Sequence, residues 1–290
     1  MRKFKESELV INPDGSVYHL KMKPEDIADT VLLVGDQGRV KNISKYFDNI
    51  DHQSQNREFV AHTGYYNGKR ITALSTGIGT DNIDIVVNEL DAAVNIDLKT
   101  RKLKNKRRSL KLIRLGTSGS LQPELDVDNF VASAYGLGLD GLLNFYKYEP
   151  HIVEEDMTTA FMEHTQWSNK LPYPYIVQQS GELLNKVAYD MPHGITATAP
   201  GFFGPQGREL RIPLGYPKLN SKIESFKFNN QRITNFEMET SAIYALGKIL
   251  GHETLTICTI IANRHTKQYS PDHKKTVDRL IHTVLERITA

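Results

Sequence analysis

The sequence predicts an α/β fold: a three-layer α/β/α sandwich around a mixed, mostly parallel central sheet. Three observations carry this expectation. Short apolar runs such as Val31-Leu-Leu-Val alternate with stretches whose apolar residues recur at helical spacing. Glycine-rich or small-residue loops follow the candidate strands at Gly35, Thr76 to Gly79, Arg114 to Gly119, Phe202 to Arg208 and Asn263-Arg264. Ligand loops cluster in this way at the carboxyl ends of parallel strands. Asn67-Gly68 separates two β-like runs as a favoured two-residue hairpin turn, which makes the sheet mixed.

At 290 residues the chain lies near the upper limit for one compact core, so a single domain spanning 1–290 is expected. A hydrophobic content of 39%, with aromatics spread along the chain, argues against disorder. The single cysteine, Cys258, excludes an internal disulfide, and its apolar neighbours make it a small buried hydrophobe, not a nucleophile. The start Met1-Arg-Lys-Phe-Lys-Glu lacks the apolar core of a signal peptide, and no apolar run could span a bilayer. A cytoplasmic protein with no membrane partner is expected.

The net charge of +2 hides an asymmetry, because eight Lys or Arg and no acid fall between Lys99 and Lys111. This basic insert, at about 97–111, reads as a solvated loop or frayed helix. Its functional alternative is a phosphate or nucleic-acid patch, against which stands the lack of aromatic residues for base stacking.

Taken in order, Val31 to Val34 is a buried strand, and Gly35-Asp-Gln-Gly-Arg-Val turns it into a helix ending near Phe47. Such a turn can cradle an anion, with Arg39 reaching back as a fork, or be a plain connection. The hairpin around Asn67 ends in Ser75-Thr-Gly-Ile-Gly. Asp81 or Asn82 caps the next helix, whose core face is Ile83, Val86, Val87, Leu90, Ala93 and Val94. Leu112-Ile-Arg-Leu is a strand followed by a small-residue turn at Gly116 to Ser120. Arg114 inside it requires a partner anion, either a local acid or a ligand.

Asp128 to Tyr135 reads as a strand and Gly136 to Asp140 as a loop; 141–175 has no assignable pattern. A short helix over Gln179 to Tyr189 and a strand over Gly194 to Ala199 lead into Pro200-Gly-Phe-Phe-Gly-Pro-Gln-Gly-Arg. There Phe202 and Phe203 beside Gln206 and Arg208 suit a planar, amide-edged heterocycle, or form a surface turn. Asn235-Phe-Glu-Met-Glu-Thr-Ser opens a helix through Ala242, Ile243, Ala245, Leu246, Ile249 and Leu250 that stops at Gly251. Glu237 and Glu239 either cap free N–H groups there, or one holds a pair of sugar hydroxyls with Met238 packed on the ribose. A strand over Leu255 to Ala262 and an amphipathic helix from about Pro271 close the chain.

Six motifs in this order resemble the nucleoside phosphorylase superfamily, and within it the uridine-cleaving members. They are Gly-Asp-x-Gly-Arg-Val, Arg-Glu-Phe, Ser-Thr-Gly-Ile-Gly, Arg-Leu-Gly-Thr-Ser-Gly-Ser-Leu-Gln-Pro, the Gln-x-Arg loop and Phe-Glu-Met-Glu-Thr-Ser; the resemblance runs from about His19 to Arg264. It implies that Gly35, Arg39, Arg114 and Thr117 bind phosphate, joined by Arg57 of a neighbouring subunit. Met238 and Glu239 would hold the ribose, with the neighbour's His19 near its 5′-hydroxyl. Phe202, Gln206, Arg208 and, less directly, Arg264 would form the uracil pocket. The implied reaction is reversible phosphorolysis of uridine to uracil and ribose 1-phosphate, in which Arg114, Glu239, Gln206 and Arg208 act on the reacting groups. Inorganic phosphate is co-substrate and no cofactor is implied.

Purine-specific bacterial relatives commonly place an Asp after the last central strand, in the region where this chain has Asn263-Arg264, which with Gln206 and Arg208 favours a pyrimidine. Two departures stand out: Thr80-Asp81-Asn82 replaces the usual Gly-Pro-Ser, and Gly-Pro-Gln-Gly-Arg the usual Pro-Gly-Gln-x-Arg. Positions matching Glu58, Ile78 and Asn82 hold a monovalent cation, K+, in some bacterial members, with Ser usual at the last. Sites shared across an interface imply a homodimer, or a hexamer assembled from such dimers, and no nucleic-acid partner is expected. The alternatives are a phosphorylase of a purine or deoxypyrimidine nucleoside, a nucleosidase, or a non-catalytic nucleoside- or nucleic-acid-binding protein.

Overall fold

The computed structural model describes residues 3–290. Its elements are β1 Thr30–Val34, α1 Gln37–Ser44, β2 Asn49–Asn56, β3 Phe59–Tyr66, β4 Lys69–Ser75 and α2 Thr80–Asn95. There follow β5 Ile96–Asp97, β6 Lys102–Leu103, β7 Lys111–Ser120, β8 Phe130–Gly138, α3 Glu155–Thr165, β9 Tyr175–Gln178, α4 Gly181–Val187 and β10 His193–Thr198. The chain ends with α5 Leu219–Ser225, β11 Lys227–Phe228, β12 Gln231–Glu237, α6 Thr240–Leu250, β13 Glu253–Asn263, β14 Gln268–Tyr269 and α7 His273–Thr289.

The central sheet runs β11-β12-β10-β8-β13-β7-β1-β4-β3-β2. Its middle pairs β4–β1, β1–β7, β7–β13, β8–β10 and β10–β12 are parallel, whereas β2–β3, β3–β4 and β8–β13 are antiparallel. The expected mixed α/β fold is present. The sheet also curls back on itself, because Asn235 and Phe236 of β12 pair with Ser120 and Gly119 of β7. Strands β7, β13, β8, β10 and β12 therefore form a closed ring.

Strand alternation explains how the layers form. Val31 and Leu33 of β1 point to one face, where they pack with Ile83, Val86, Val87 and Leu90 of α2 and Ala242, Ile243 and Leu246 of α6. Leu32 and Val34 point to the other, against Val40 and Ile43 of α1, Leu183 of α4 and Leu280, Ile281 and Val284 of α7. A strand apolar at every position is thus buried on both sides. A third core, with Phe161, Ile195, Ile223, Ile233 and Phe236, fills the space beside the ring.

Several local expectations are corrected. The residues after Leu115 form no turn: β7 continues to Ser120, since Gly116 to Ser120 pair with β13. Likewise β8 runs to Gly138, paired with β10 and β9, where a loop was expected. Neither Asp81 nor Asn82 caps α2; its N-cap is Gly79, with no side-chain cap. The unassigned 141–175 contains α3. The hairpin at Asn67-Gly68 is as expected, both residues having positive φ (50° and 71°).

The basic insert is neither solvated loop nor frayed helix. β5 and β6 pair as a small antiparallel ladder, and three cations turn inward. Arg101 donates to the Leu9 carbonyl and Lys104 to the Val94 carbonyl at 2.9 Å. Arg108 donates to the Pro24 and Ile27 carbonyls and pairs with Asp29. These bonds fasten the end of α2 to the amino-terminal segment, while Lys99, Lys102, Lys106, Arg107 and Lys111 stay exposed. No helix among the described residues is long and apolar enough to cross a membrane.

Candidate active site

The site forms where the amino ends of α2 and α6 meet over β7. Ile113 and Leu115 of β7 pack into the α1 and α7 core, so Leu112 and Arg114 face the α2 and α6 side. Arg114 is 5% exposed. Its Nε donates to Glu237 Oε2 at 3.3 Å and its Nη2 to Glu239 Oε2, while Nη1 is buried without a partner. Burial alone would depress its pKa, but the carboxylates of Glu239 and Glu237 outweigh that and hold it raised. Both readings of Arg114 thus apply: internal acids take two nitrogens and a third is left open.

The two glutamates divide the roles that their spacing allows. Glu237, at the end of β12, accepts from the backbone N–H groups of Glu239 and Thr240 at 3.0 Å and from the Thr198 hydroxyl at 2.7 Å. It is the cap of α6, supplied from the preceding strand. Glu239 occupies the N-cap position without capping its own helix; it accepts instead from Gly79 N, the N-cap residue of α2, at 2.9 Å. One carboxylate thereby sits at the positive ends of two helices and against a guanidinium. Burial pushes the Glu237 carboxyl up to about 7 against the pull of Arg114, with the charge of Glu239 adding to the rise.

Arg39 extends from the first turn of α1, whose N-cap Asp36 accepts from Gly38 N at 2.8 Å. Its Nη1 reaches the Leu115 carbonyl at 3.4 Å, next in sequence to Arg114, and it makes no ion pair among the described residues. Burial, and then the charge of Arg114, depress its pKa. Gly35, Thr117 and Met238 are half-buried. Arg57 does not join this cluster: it is exposed at a positive-φ turn (52°), and only its carbonyl is engaged, by Gln37 Nε2 at 2.7 Å.

His19 is likewise elsewhere. Its Nδ1 lies 2.6 Å from Glu89 Oε1, its carbonyl accepts from Asn56, and its ring meets Tyr18 and Phe59 edge-on. Glu58 and Asn82 both flank Gly77, with Ile78 exposed beside them. Among the described residues no cluster of three or more His, Cys, Asp or Glu is arranged to hold a metal. Cys258 is fully buried, and burial pushes its thiol up to about 12, which makes it inert at neutral pH.

The loop after β10 brings Gln206, Arg208 and Arg264 together. Arg208 Nη1 donates to Gln206 Oε1 at 2.7 Å and to the Phe202 carbonyl at 2.6 Å, and its guanidinium lies 3.9 Å from the centre of the Phe202 ring. Arg264 Nη2 donates to the Gln206 carbonyl at 2.5 Å, and its Nη1 is buried without a partner. Gln206 is buried, whereas Phe202 and Phe203 are each 52% exposed. Phe203, Arg208, Trp167, Leu210 and Tyr216 line a largely apolar cavity of about 940 Å³ on the outer side of this loop. Asn263 is fully committed to its turn: it donates to the Gln122 and Leu125 carbonyls and accepts from His265 N and Thr266 N.

Sequence reasoning missed Thr198, whose hydroxyl supports Glu237, and placed Gly79 in a ligand loop without foreseeing its N–H on Glu239. Neither is flagged by residue type, since a Thr at a strand end and a Gly in a loop are ordinary.

The site is thus a carboxylate-braced guanidinium beside a second arginine, set in a curled α/β sheet. Residues 29–289 match the Phosphorylase superfamily, and the chain belongs to it. It is 31% identical to a uridine phosphorylase of Thermococcus kodakarensis, over 95% of this chain and 87% of that one. It is 30% identical to a purine nucleoside phosphorylase DeoD-type of Caldanaerobacter subterraneus, over 83% and 86%. A solved Trypanosoma brucei nucleoside phosphorylase, described as showing uridine phosphorylase activity, superposes with a TM-score of 0.85 at 28% identity, covering 97% of this chain and 100% of that one.

Proposed function

We propose that this chain is a uridine phosphorylase, converting uridine and inorganic phosphate reversibly to uracil and ribose 1-phosphate in nucleoside salvage. The observation that carries the reading is Arg114: a buried guanidinium, braced on two sides by acids, with Nη1 open and the unpaired Arg39 alongside. A buried N–H without a partner costs free energy unless a ligand supplies the acceptor, and phosphate has oxygens for both arginines. Gly35 and Thr117 would complete the anion's contacts, with Arg57 of a second subunit. That sharing, together with His19 from the neighbour, makes a homodimer the least functional unit. Glu58 and Asn82 beside Gly77 would supply oxygens for a monovalent cation.

Phosphate attacks C1′ as the glycosidic bond stretches, so positive charge grows on the sugar and negative charge on the departing base. Glu239 sits on the sugar side, where its carboxylate accepts from the ribose hydroxyls, with Met238 against the ring. Arg208 and the Gln206 amide donate to the uracil edge as it gains charge, an electrostatic stabilisation of the oxyanion-hole kind. The Asn263 amide has no free group to protonate a purine, which supports the pyrimidine choice. Release of free base from a panel of uridine, deoxyuridine, thymidine and inosine, with and without phosphate, tests the reading. Phosphate-dependent cleavage led by uridine is expected; inosine far ahead of uridine, or cleavage without phosphate, overturns it.

A further inference from the structure

Behind the sugar side of the site lies a second carboxylate that the proposed reaction does not use. Asp140 follows β8, half-buried, and three donors converge on it. Ser241 Oγ donates to Oδ2 at 2.9 Å, Tyr175 OH to Oδ1 at 2.9 Å, and Leu142 N to Oδ1 at 2.7 Å. Ser241 is the second residue of α6, and its own N–H donates to Thr198 Oγ1 at 2.9 Å. The Thr198 hydroxyl in turn donates to Glu237, which caps α6 and braces Arg114. An unbroken hydrogen-bonded chain thus runs from Asp140 through Ser241, Thr198 and Glu237 to the guanidinium.

Two glycines of β8 make room for this arrangement. A Cβ at Gly136 would stand 3.0 Å from the Ser241 Cα, and one at Gly138 would stand 2.3 Å from the Tyr175 ring. The helix start is therefore seated directly on the strand, and the buried Tyr175 hydroxyl is carried under it to Asp140. Glu237 holds the first turn of α6 by its backbone, and Asp140 holds it by a side chain one residue further on.

We infer that Asp140, with Tyr175, is a positioning residue for the nucleoside: it seats the first turn of α6 and so fixes where Glu239 and Met238 meet the ribose. This rests on the proposed uridine phosphorylase activity. The effect falls mainly on the sugar side: Arg39 is carried by α1, Gly35 by the β1 turn and Thr117 by β7, and Arg114, also on β7, keeps its brace from Glu237 of β12, which lies outside α6. Burial raises the pKa of the Asp140 carboxyl, so its three donors do the work of keeping it an acceptor.

Steady-state kinetics of the full chain with uridine and inorganic phosphate test this. Asp140→Asn should raise KM for uridine about tenfold, the scale of one hydrogen bond to a charged group, and leave KM for phosphate within about twofold. Tyr175→Phe, which removes a single hydroxyl and keeps the ring in place, should move the uridine KM the same way by about threefold. If both variants keep the parent's uridine KM, or if both substrates' KM values rise together, Asp140 is only structural and the inference fails. An active parent with unmoved variants removes this inference alone, whereas a parent inactive on every nucleoside with phosphate removes it together with the functional reading.

Discussion

The two ends of the site are built differently. At the Arg114 end, the central side chains Arg114, Glu237 and Glu239 are carried by β7, the end of β12 and the start of α6, are buried, and are joined to one another and to Gly79 by bonds that include contacts between distant segments. At the Arg208 end, the groups belong to an irregular loop in which Phe202 and Phe203 are half in solvent, and Leu210 and Ile212 are 72% and 83% exposed. The first end presents a fixed charge pattern, as chemistry on a phosphate and a sugar requires. The second, in the proposed reading, adapts to a flat base, as loop-borne specificity elements do. Rate should therefore be lost most sharply at the first end and discrimination at the second.

The largest effect expected is from Arg114→Ala. It removes the proposed phosphate contact and leaves Glu237 and Glu239 without their buried counter-charge, so phosphorolysis should fall by about 10³ or more, with a stability loss of roughly 3–5 kcal/mol. Uridine assays and thermal unfolding measure both, and near-full activity would erase the distinction between the ends. Arg208→Ala should be milder, lowering kcat/KM for uridine by about 10- to 100-fold because the proposed half-buried, charge-assisted contact to the base is lost. Phosphate KM should not move; a matching rise there would mean the two ends are not separable.

The smallest effect concerns pH. With Glu237 raised from 4.5 to about 7, the folded chain keeps a proton that the unfolded chain has already released between those values. Stability from this group is therefore greatest below the window and declines as pH rises through it, by on the order of 1–3 kcal/mol. Glu237→Gln should flatten that slope in denaturant titrations run at several pH values. An unchanged slope would show that its four donors keep Glu237 ionised throughout.

Sequence pattern revealed the segments whose apolar spacing is set by burial. The strand at Val31, the hairpin at Asn67, the helix carrying Val86 and Leu90, and the final amphipathic helix are where periodicity places them. It missed β2, because Asn-Ile-Asp-His-Gln-Ser-Gln-Asn is an exposed edge strand held by backbone pairing with β3, with no buried face to leave a signature. It stopped β7 and β8 short because Gly-Thr-Ser-Gly-Ser and Gly-Leu-Gly look like turns. Those small residues are strand residues chosen for what packs across them, and Asp140 was lost within the second. In the site, residue type identified Arg114 and Glu239, but the split between a capping and a bracing glutamate depends on β12 returning beside β7. No local pattern encodes that.

The return of β12 to β7 also orders events as the chain folds. The contacts that join Arg114 to Glu237 and Glu239 span more than a hundred residues of sequence, and all five strands of the ring lie within Lys111–Asn263. Long-range pairings of this kind are among the last to form. During refolding, helical signal should accordingly recover before catalysis, and a nascent chain that has not yet released β12 has the arginine without either acid.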